Sequence, residues 1–216
     1  MTTVLLTGFE PFGGESVNPS WEAVSRFAAR PPMPGVEVHT ALLPCVYGAS
    51  VTALRTAVVE HRPDVVIGFG QAGGRFGVTP ELIAVNLDDA PISDNAGNAP
   101  LDAAIAADGP LAYRSGLPVK AIVAALHDAG IPASVSHTAG TYICNHVFYA
   151  AMHLVATEEP GVRAGFVHVP FATEQVVDKP TAPSLSMDAL TEAVGIVLAT
   201  TVATGADLAV TAGAVS

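Results

Sequence analysis

The chain has 216 residues, with 20 acidic and 9 basic side chains and a formal net charge of −11. Half of it is apolar and only 13% is charged, which excludes a disordered or low-complexity protein and predicts one domain with a single substantial core. The acidity also excludes nucleic acid as a partner, because phosphate recognition requires a basic face.

Residues 4–8 form a short apolar run ending at Gly8 and read as a buried strand. Asn18 and Pro19 then supply a helix cap and a first-turn proline, so a helix is predicted over 20–29. It would bury Trp21, Val24 and Phe27, and Pro31-Pro32 stops it. A second strand follows over 36–43, a second helix over 48–61 and a third strand over 64–69, with a glycine-rich loop behind it. Residues 82–87 read as a further strand. The stretch 88–118 is rich in Asp, Asn, Ala, Gly and Pro, and reads as a long surface excursion of the kind that carries function. A helix over 117–129 ending at Gly130, a strand over 132–136, a helix over 145–156, a strand over 165–169 and a buried helix within 193–206 complete the chain. This alternation predicts an α/β fold, with one domain across 1–216: a twisted, mainly parallel open sheet with helices on both faces.

The uncharged run 193–206 falls short of the ~20 residues that a membrane span requires. The N-terminal segment has no basic leader and too short an apolar run for a signal peptide. Cys45 and Cys144 lie in dissimilar surroundings and cannot build a disulfide framework, so a cytoplasmic location with reduced thiols is expected. The pattern G-x-G-x-x-G at 68–73 follows a predicted strand, but more glycine, Pro80 and a strand come after it where a nucleotide site needs a helix. Its glycines would instead let the backbone pass close to a ligand or another strand. There is no phosphate loop, no G-x-S-x-G elbow and no histidine pair at metal-ligand spacing, and His39, His61 and His127 read as ordinary surface or core residues. Neither a metal nor a cofactor is expected.

Cys144 carries more information. It follows a loop, Thr138 to Ile143, and opens a predicted helix, where free N–H groups and the helix dipole favour a thiolate. In a parallel sheet that loop lies at the carboxyl ends of the strands, where α/β proteins build their sites. His168 stands near the carboxyl end of a later strand. A lone cysteine is commonly a small buried apolar residue. The helix start and a histidine within plausible reach favour a nucleophile with an imidazole base.

The blocks Thr7-Gly-Phe-Glu-Pro-Phe-Gly-Gly-Glu15, Asn18-Pro-Ser20, Gly70-Gln-Ala-Gly-Gly-Arg75, Pro80-Glu81, Ser136 to Tyr149, Gly165 to Pro170, Glu174-Gln175 and Ala182 to Ser186 resemble, in order and over almost the whole chain, the pyroglutamyl-peptidase I family. The resemblance implies a cysteine exopeptidase that removes an N-terminal pyroglutamyl residue from peptides through a thioester. It implies Cys144 as nucleophile, His168 as base and then acid, and Glu81 as the group that orients the imidazole. It also implies a pocket for the neutral lactam walled by Phe9 and Phe12, lined by Gln71 and flanked by Tyr142 and Ile143. Peptides with N-terminal pyroglutamate are the implied partners, and a homodimer or homotetramer the implied assembly, with no membrane association. Where the family usually carries an arginine near the site, this chain has Pro91, and Ser93, Ala96 and Ala99 are also less typical. A working but slower enzyme is therefore expected. The alternatives are a binding protein or weak hydrolase that keeps the fold but has lost turnover through the altered 91–99 loop and, by fold analogy alone, a nucleoside phosphorylase.

Overall fold

A computed structural model describes residues 1–213; the last three residues of the expected 1–216 unit lie outside the described residues. In chain order the elements are β1 (Thr2–Phe9), α1 (Pro19–Ala28), β2 (Val36–Leu43), α2 (Ala49–His61), β3 (Val65–Gln71), β4 (Thr79–Pro80), β5 (Ile83–Val85), β6 (Ala112–Arg114), α3 (Val119–Asp128), α4 (Ile143–Thr157), β7 (Arg163–Val169), β8 (Phe171–Ala172), a short 3-10 helix (Thr173–Val176), β9 (Ser184–Leu185) and α5 (Met187–Ala203).

The central sheet has five strands in the order β2-β1-β3-β7-β4. β1 runs parallel to β2 and β3, and β3 runs parallel to β7 with Gly70 opposite His168. Only β4 is antiparallel, with Thr79 opposite His168 and Pro80 opposite Val167. The strands alternate between two buried faces, as strands covered on both sides must. Val4, Leu6, Val65 and Ile67 pack under α1, α3 and α5 in one core cluster, which includes Ile122, Val194 and Leu198. Leu5, Val66 and Phe166 face the other way and pack with Leu54 of α2 and Phe148 of α4. The fold is thus the expected mainly parallel α/β sheet with helices on both faces.

Local signals set the boundaries. Asn18 caps α1 by accepting from the backbone N–H of Ser20, and Pro19 occupies the first turn. The helix buries Ala23 and Val24 fully, while Trp21 and Phe27 are only half-buried against the same core. The C-terminal helix is longer than the sequence indicates, because Ser186 caps it by accepting from the N–H of Ala189.

Residues 132–136 are not a continuous strand. They lie beside 78–82 through two isolated parallel bridges, Val78 with Ala133 and Glu81 with Ser136. The N–H of Val78 donates to Pro132, that of Ser134 to Val78, that of Ser136 to Pro80 and that of Leu82 to Ser136. The rung that would join them is a bond from residue 80 to Ser134, and Pro80 has no N–H to give. Likewise only Ile83–Val85 of the expected strand 82–87 is regular; it pairs with the three-residue β6 at the end of the long excursion. No helix among the described residues is long and apolar enough to cross a membrane.

Candidate active site

Phe9 ends β1, Gln71 ends β3 and His168 stands one residue before the end of β7, so the parallel strands deliver all three to the same carboxyl edge. Helix α4 starts beside them. Its first intrahelical bond runs from the N–H of His146 to the carbonyl of Tyr142, so the helix begins at Ile143, earlier than expected, and Cys144 lies inside its first turn. β3 continues through Gly68 and Gly70, so these glycines belong to a strand and not to a nucleotide loop. A Cβ on Gly70 would stand 2.8 Å from Sγ of Cys144 and 2.8 Å from the Phe166 ring, inside any real contact distance. The bare backbone at Gly70 is what lets the thiol approach the sheet.

Glu81 follows β4, and its N–H donates to the carbonyl of Phe166 at 2.9 Å, which sets its side chain behind His168. Oε1 of Glu81 accepts from Nδ1 of His168 at 2.7 Å and from Nη1 of Arg75 at 2.6 Å. Glu81 is fully buried and His168 nearly so. With Nδ1–H committed to the carboxylate, Nε2 of His168 is the free acceptor of the neutral ring. Burial pushes the His168 pKa below the usual imidazole value; the Glu81 bond opposes that, and the Arg75 charge adds to it.

Burial pushes the Cys144 thiol up, with the nearby Cys45 and Glu81 adding to the shift and Arg75 opposing it. The helix start favours a thiolate and desolvation of the sulfur opposes it, so the two act on Cys144 in opposite directions. Cys45 is also a free thiol, buried, and raised to about 12, chiefly by burial and against a hydrogen bond with Tyr142.

These groups line one cavity of about 400 Å³. Seven of the sequence-predicted residues meet on its wall: Phe9, Phe12, Gln71, Tyr142, Ile143, Cys144 and His168. The eighth, Glu81, is held behind His168 and does not reach the cavity. Pro91 and Ile92 close another side. The altered loop is pinned there: Asp94 accepts from the N–H groups of Tyr47, Ala96 and Asn98, and Asn95 donates to Glu10 and to the Pro11 carbonyl. The Tyr142 hydroxyl donates to the carbonyl of Ser93. A buried pair, Nδ1 of His146 with Asp88 at 2.7 Å, ties the same excursion to α4, while Nε2 of His146 accepts from the N–H of Gly48. No group of His, Cys, Asp and Glu among the described residues could hold a metal ion.

Arg75 was not assigned a role from sequence. Besides Glu81 it binds Thr79 at 2.5 Å and the carbonyl of Thr138 at 3.1 Å, so it links the carboxylate to the loop before Cys144. An arginine six residues from a glutamate within a glycine-rich stretch was the available signal, but no local periodicity brings the two together.

A cysteine at a helix start, a histidine oriented by a buried carboxylate and an apolar cavity at the edge of a parallel sheet define an α/β thiol hydrolase. The family model described as pyroglutamyl peptidase matches residues 2–204. The chain belongs to this family of cysteine peptidases, which remove N-terminal pyroglutamate. It is 56% identical over 216 residues to the pyrrolidone-carboxylate peptidase of Streptomyces coelicolor, covering 99% of each chain, and 50% identical to that of Bacillus licheniformis, covering 99% of this chain and 98% of that one. Its structure matches pyroglutamyl peptidase I of Bacillus amyloliquefaciens with a TM-score of 0.94 at 46% identity, covering 97% of this chain and 99% of the other. It also matches the pyrrolidone carboxyl peptidase of Thermococcus litoralis with a TM-score of 0.90 at 39% identity, covering 94% of each.

Proposed function

We propose that this protein hydrolyses the bond after an N-terminal pyroglutamyl residue, with Cys144 as nucleophile, His168 as general base and acid, and Glu81 as the orienting carboxylate. The observation that carries the reading is the chain of contacts from Arg75 through Glu81 to His168, ending in a ring whose free nitrogen shares a cavity with Cys144. The thiol gives its proton to Nε2 of His168 as sulfur attacks the pyroglutamyl carbonyl. The imidazolium, stabilised by Glu81, returns that proton to the departing peptide amine and leaves a thioester. Water, deprotonated by the same nitrogen, then hydrolyses the thioester and frees pyroglutamate. The N–H of Cys144 lies in the first turn of the helix, where backbone donors have no intrahelical partner, and serves as an oxyanion donor in this reading.

The cavity suits a neutral ring. Phe9, Phe12, Tyr142 and Ile143 offer flat apolar walls, Gln71 offers a hydrogen bond, and no carboxylate lines the wall to receive an ammonium. A prolyl ring with its charged amine would lose water there without a counter-charge, at a cost of several kcal/mol (~2–7 for a neutral polar group, more for an ion). Of the 91–99 loop, Pro91 and Ile92 line the cavity beside Cys144, and the assay below separates the peptidase from a binding protein or weak hydrolase.

Two free thiols, one in the site, support a reducing, cytoplasmic setting. Large exposed apolar side chains at Phe76, Leu101, Leu111 and Val177 are in keeping with a homodimer or homotetramer, which sedimentation analysis tests.

Release of a chromogenic amine from its pyroglutamyl amide tests the activity directly, with the prolyl amide as control. Hydrolysis is expected for the first alone. Cys144→Ala should remove it while the protein stays folded, and Cys45→Ser should keep both turnover and sensitivity to alkylation. Turnover by a folded Cys144→Ala protein, or equal rates on both amides, would refute the assignment.

A further inference from the structure

Gln71 is buried at the carboxyl end of β3 and lines the cavity. Its side-chain oxygen is already engaged, because Oε1 accepts from Nε2 of Gln175 at 3.0 Å. A primary amide has one accepting end and one donating end, so whatever holds the first decides what the second offers.

The holder has no freedom of its own. Oε1 of Gln175 accepts from the backbone N–H of Ala172 at 2.9 Å, a donor that cannot reverse. Nε2 of Gln175 faces three oxygens: that of Gln71 at 3.0 Å, a carboxylate oxygen of Glu15 at 3.3 Å and the carbonyl of Val17 at 3.4 Å. Neither a carboxylate nor a carbonyl can donate, so the amide of Gln175 fits one way round only. Glu15 is itself fixed by Lys179, whose ammonium donates to it at 2.6 Å and to the carbonyl of Gln175 at 3.0 Å, and lies 4.9 Å over the Phe171 ring. The two bonds run the same way, from the Ala172 N–H to Gln175 and from Gln175 to Gln71, and they leave the NH2 of Gln71 as the free end of a side chain that lines the cavity.

We infer that Gln175 is a specificity-determining positioning residue, which locks the Gln71 amide with its NH2 toward the cavity so that the pocket reads the carbonyl oxygen of a lactam ring. A reversed Gln71 would set oxygen against oxygen and repel that carbonyl. The inference rests on the pyroglutamyl-peptidase reading of the same site and adds the group that fixes its polarity. Gln175 touches no substrate; it acts through Gln71 alone. The buried apolar wall supplies affinity for any flat ring, and the oriented amide supplies the discrimination among rings.

The probe is 2-pyrrolidone, the bare lactam ring, used as a competitive inhibitor of pyroglutamyl amide hydrolysis. Gln175→Met should weaken its inhibition and raise KM by about tenfold, the worth of one neutral hydrogen bond, with a smaller change in kcat. Gln71→Met should do the same. The double variant should be no weaker than Gln71→Met alone, because a residue that acts only through Gln71 has nothing left to orient. Gln175→Glu keeps the acceptor for Ala172 and turns the donor into a second acceptor, so Gln71 must reverse; the loss should exceed that of Gln175→Met. This variant also carries the test if Gln175→Met does not fold. Wild-type inhibition in a folded Gln175→Met or Gln175→Glu protein, or losses that add in the double variant, would overturn the inference and leave the peptidase reading intact. A wild-type protein that neither cleaves the amide nor binds 2-pyrrolidone would overturn both.

Discussion

His168 and Glu81 meet through a single oxygen: Nδ1 donates to Oε1 at 2.7 Å, while Oε2 of the same carboxylate has no hydrogen-bond partner among the described residues. Arg75 donates to that same Oε1 at 2.6 Å. One acceptor atom therefore serves both the imidazole ring and the neutralising cation, and the two act on the carboxylate as a unit.

This sharing makes Glu81→Gln an informative variant. Two donors converge where Oε1 stands, so a glutamine there must keep its oxygen toward them and place its NH2 where Oε2 was. The ring keeps its tautomer and loses only the negative charge. We expect kcat to fall by less than the ~10⁴ seen when an orienting carboxylate is replaced and the tautomer is lost. Glu81→Ala, which frees the ring as well, should fall further, and comparing kcat for the two separates charge from orientation. Arg75→Met should instead destabilise the protein toward the low end of the ~3–5 kcal/mol typical of breaking a buried ion pair, because Arg75 is partly exposed while Glu81 is not; urea unfolding measures it.

The pH dependence follows from the direction of the His168 shift, which burial drives downward. The unfolded imidazole takes up a proton as pH falls through ~6.5, whereas the folded ring resists until a lower pH. The stability associated with neutral His168 is thus complete above the unfolded value and is lost as pH falls through the folded one. Activity, which requires the neutral ring, should persist below ~6.5 and fail over the same lower range. His168→Gln should flatten the pH dependence of unfolding in that window. The raised Cys144 thiol has its own readout: the ultraviolet thiolate absorbance of wild type minus Cys144→Ala should be absent near neutral pH and appear only in alkaline solution. A thiolate signal at neutrality would show a preformed ion pair in place of a thiol and imidazole.

Pro91 lines the cavity with Cys144, and the family resemblance implies an arginine at this position. The loop does not depend on it for shape, since Asp94 and Asn95 anchor the segment through five hydrogen bonds to the backbone of Tyr47, Ala96 and Asn98, to Glu10 and to Pro11. A guanidinium at 91 would favour the developing oxyanion and the thiolate. Loss of one such donor is worth ~10²–10³ in turnover, and Pro91→Arg should recover part of it. It should also move the acidic limb of the pH–rate profile downward. An unchanged rate and profile in a folded variant would show that position 91 is not coupled to the site.

The reading of elements from sequence rests on short-range rules, and it succeeds where those rules act. Asn18-Pro19 sets the start of α1, and the apolar runs at 4–8 and 64–69 become the central strands β1 and β3. Cys144, His168 and Glu81 stand out as candidates because the residue blocks around each of them resemble a known family. Local signals gave less where pairing with a distant segment decides the outcome. Residues 132–136 have the composition of a strand, yet their ladder breaks at a proline in the segment beside them.

The fold class and the order of most elements were thus written in the chain itself, because hydrophobic period, caps and turn residues act over a few positions; the candidate reacting groups came from the resemblance of the blocks around them. What those groups do for one another came only from the folded arrangement. Gln71 and Gln175 are separated by 104 positions, and Glu81 and His168 by 87, so no periodicity links them; the parallel register of β3 and β7 and the antiparallel β4 bring them within hydrogen-bond distance. Packing likewise acts on the Cys144 thiol. A helix start favours a thiolate, while the packing around the sulfur raises its pKa by desolvation, and the two pull in opposite directions.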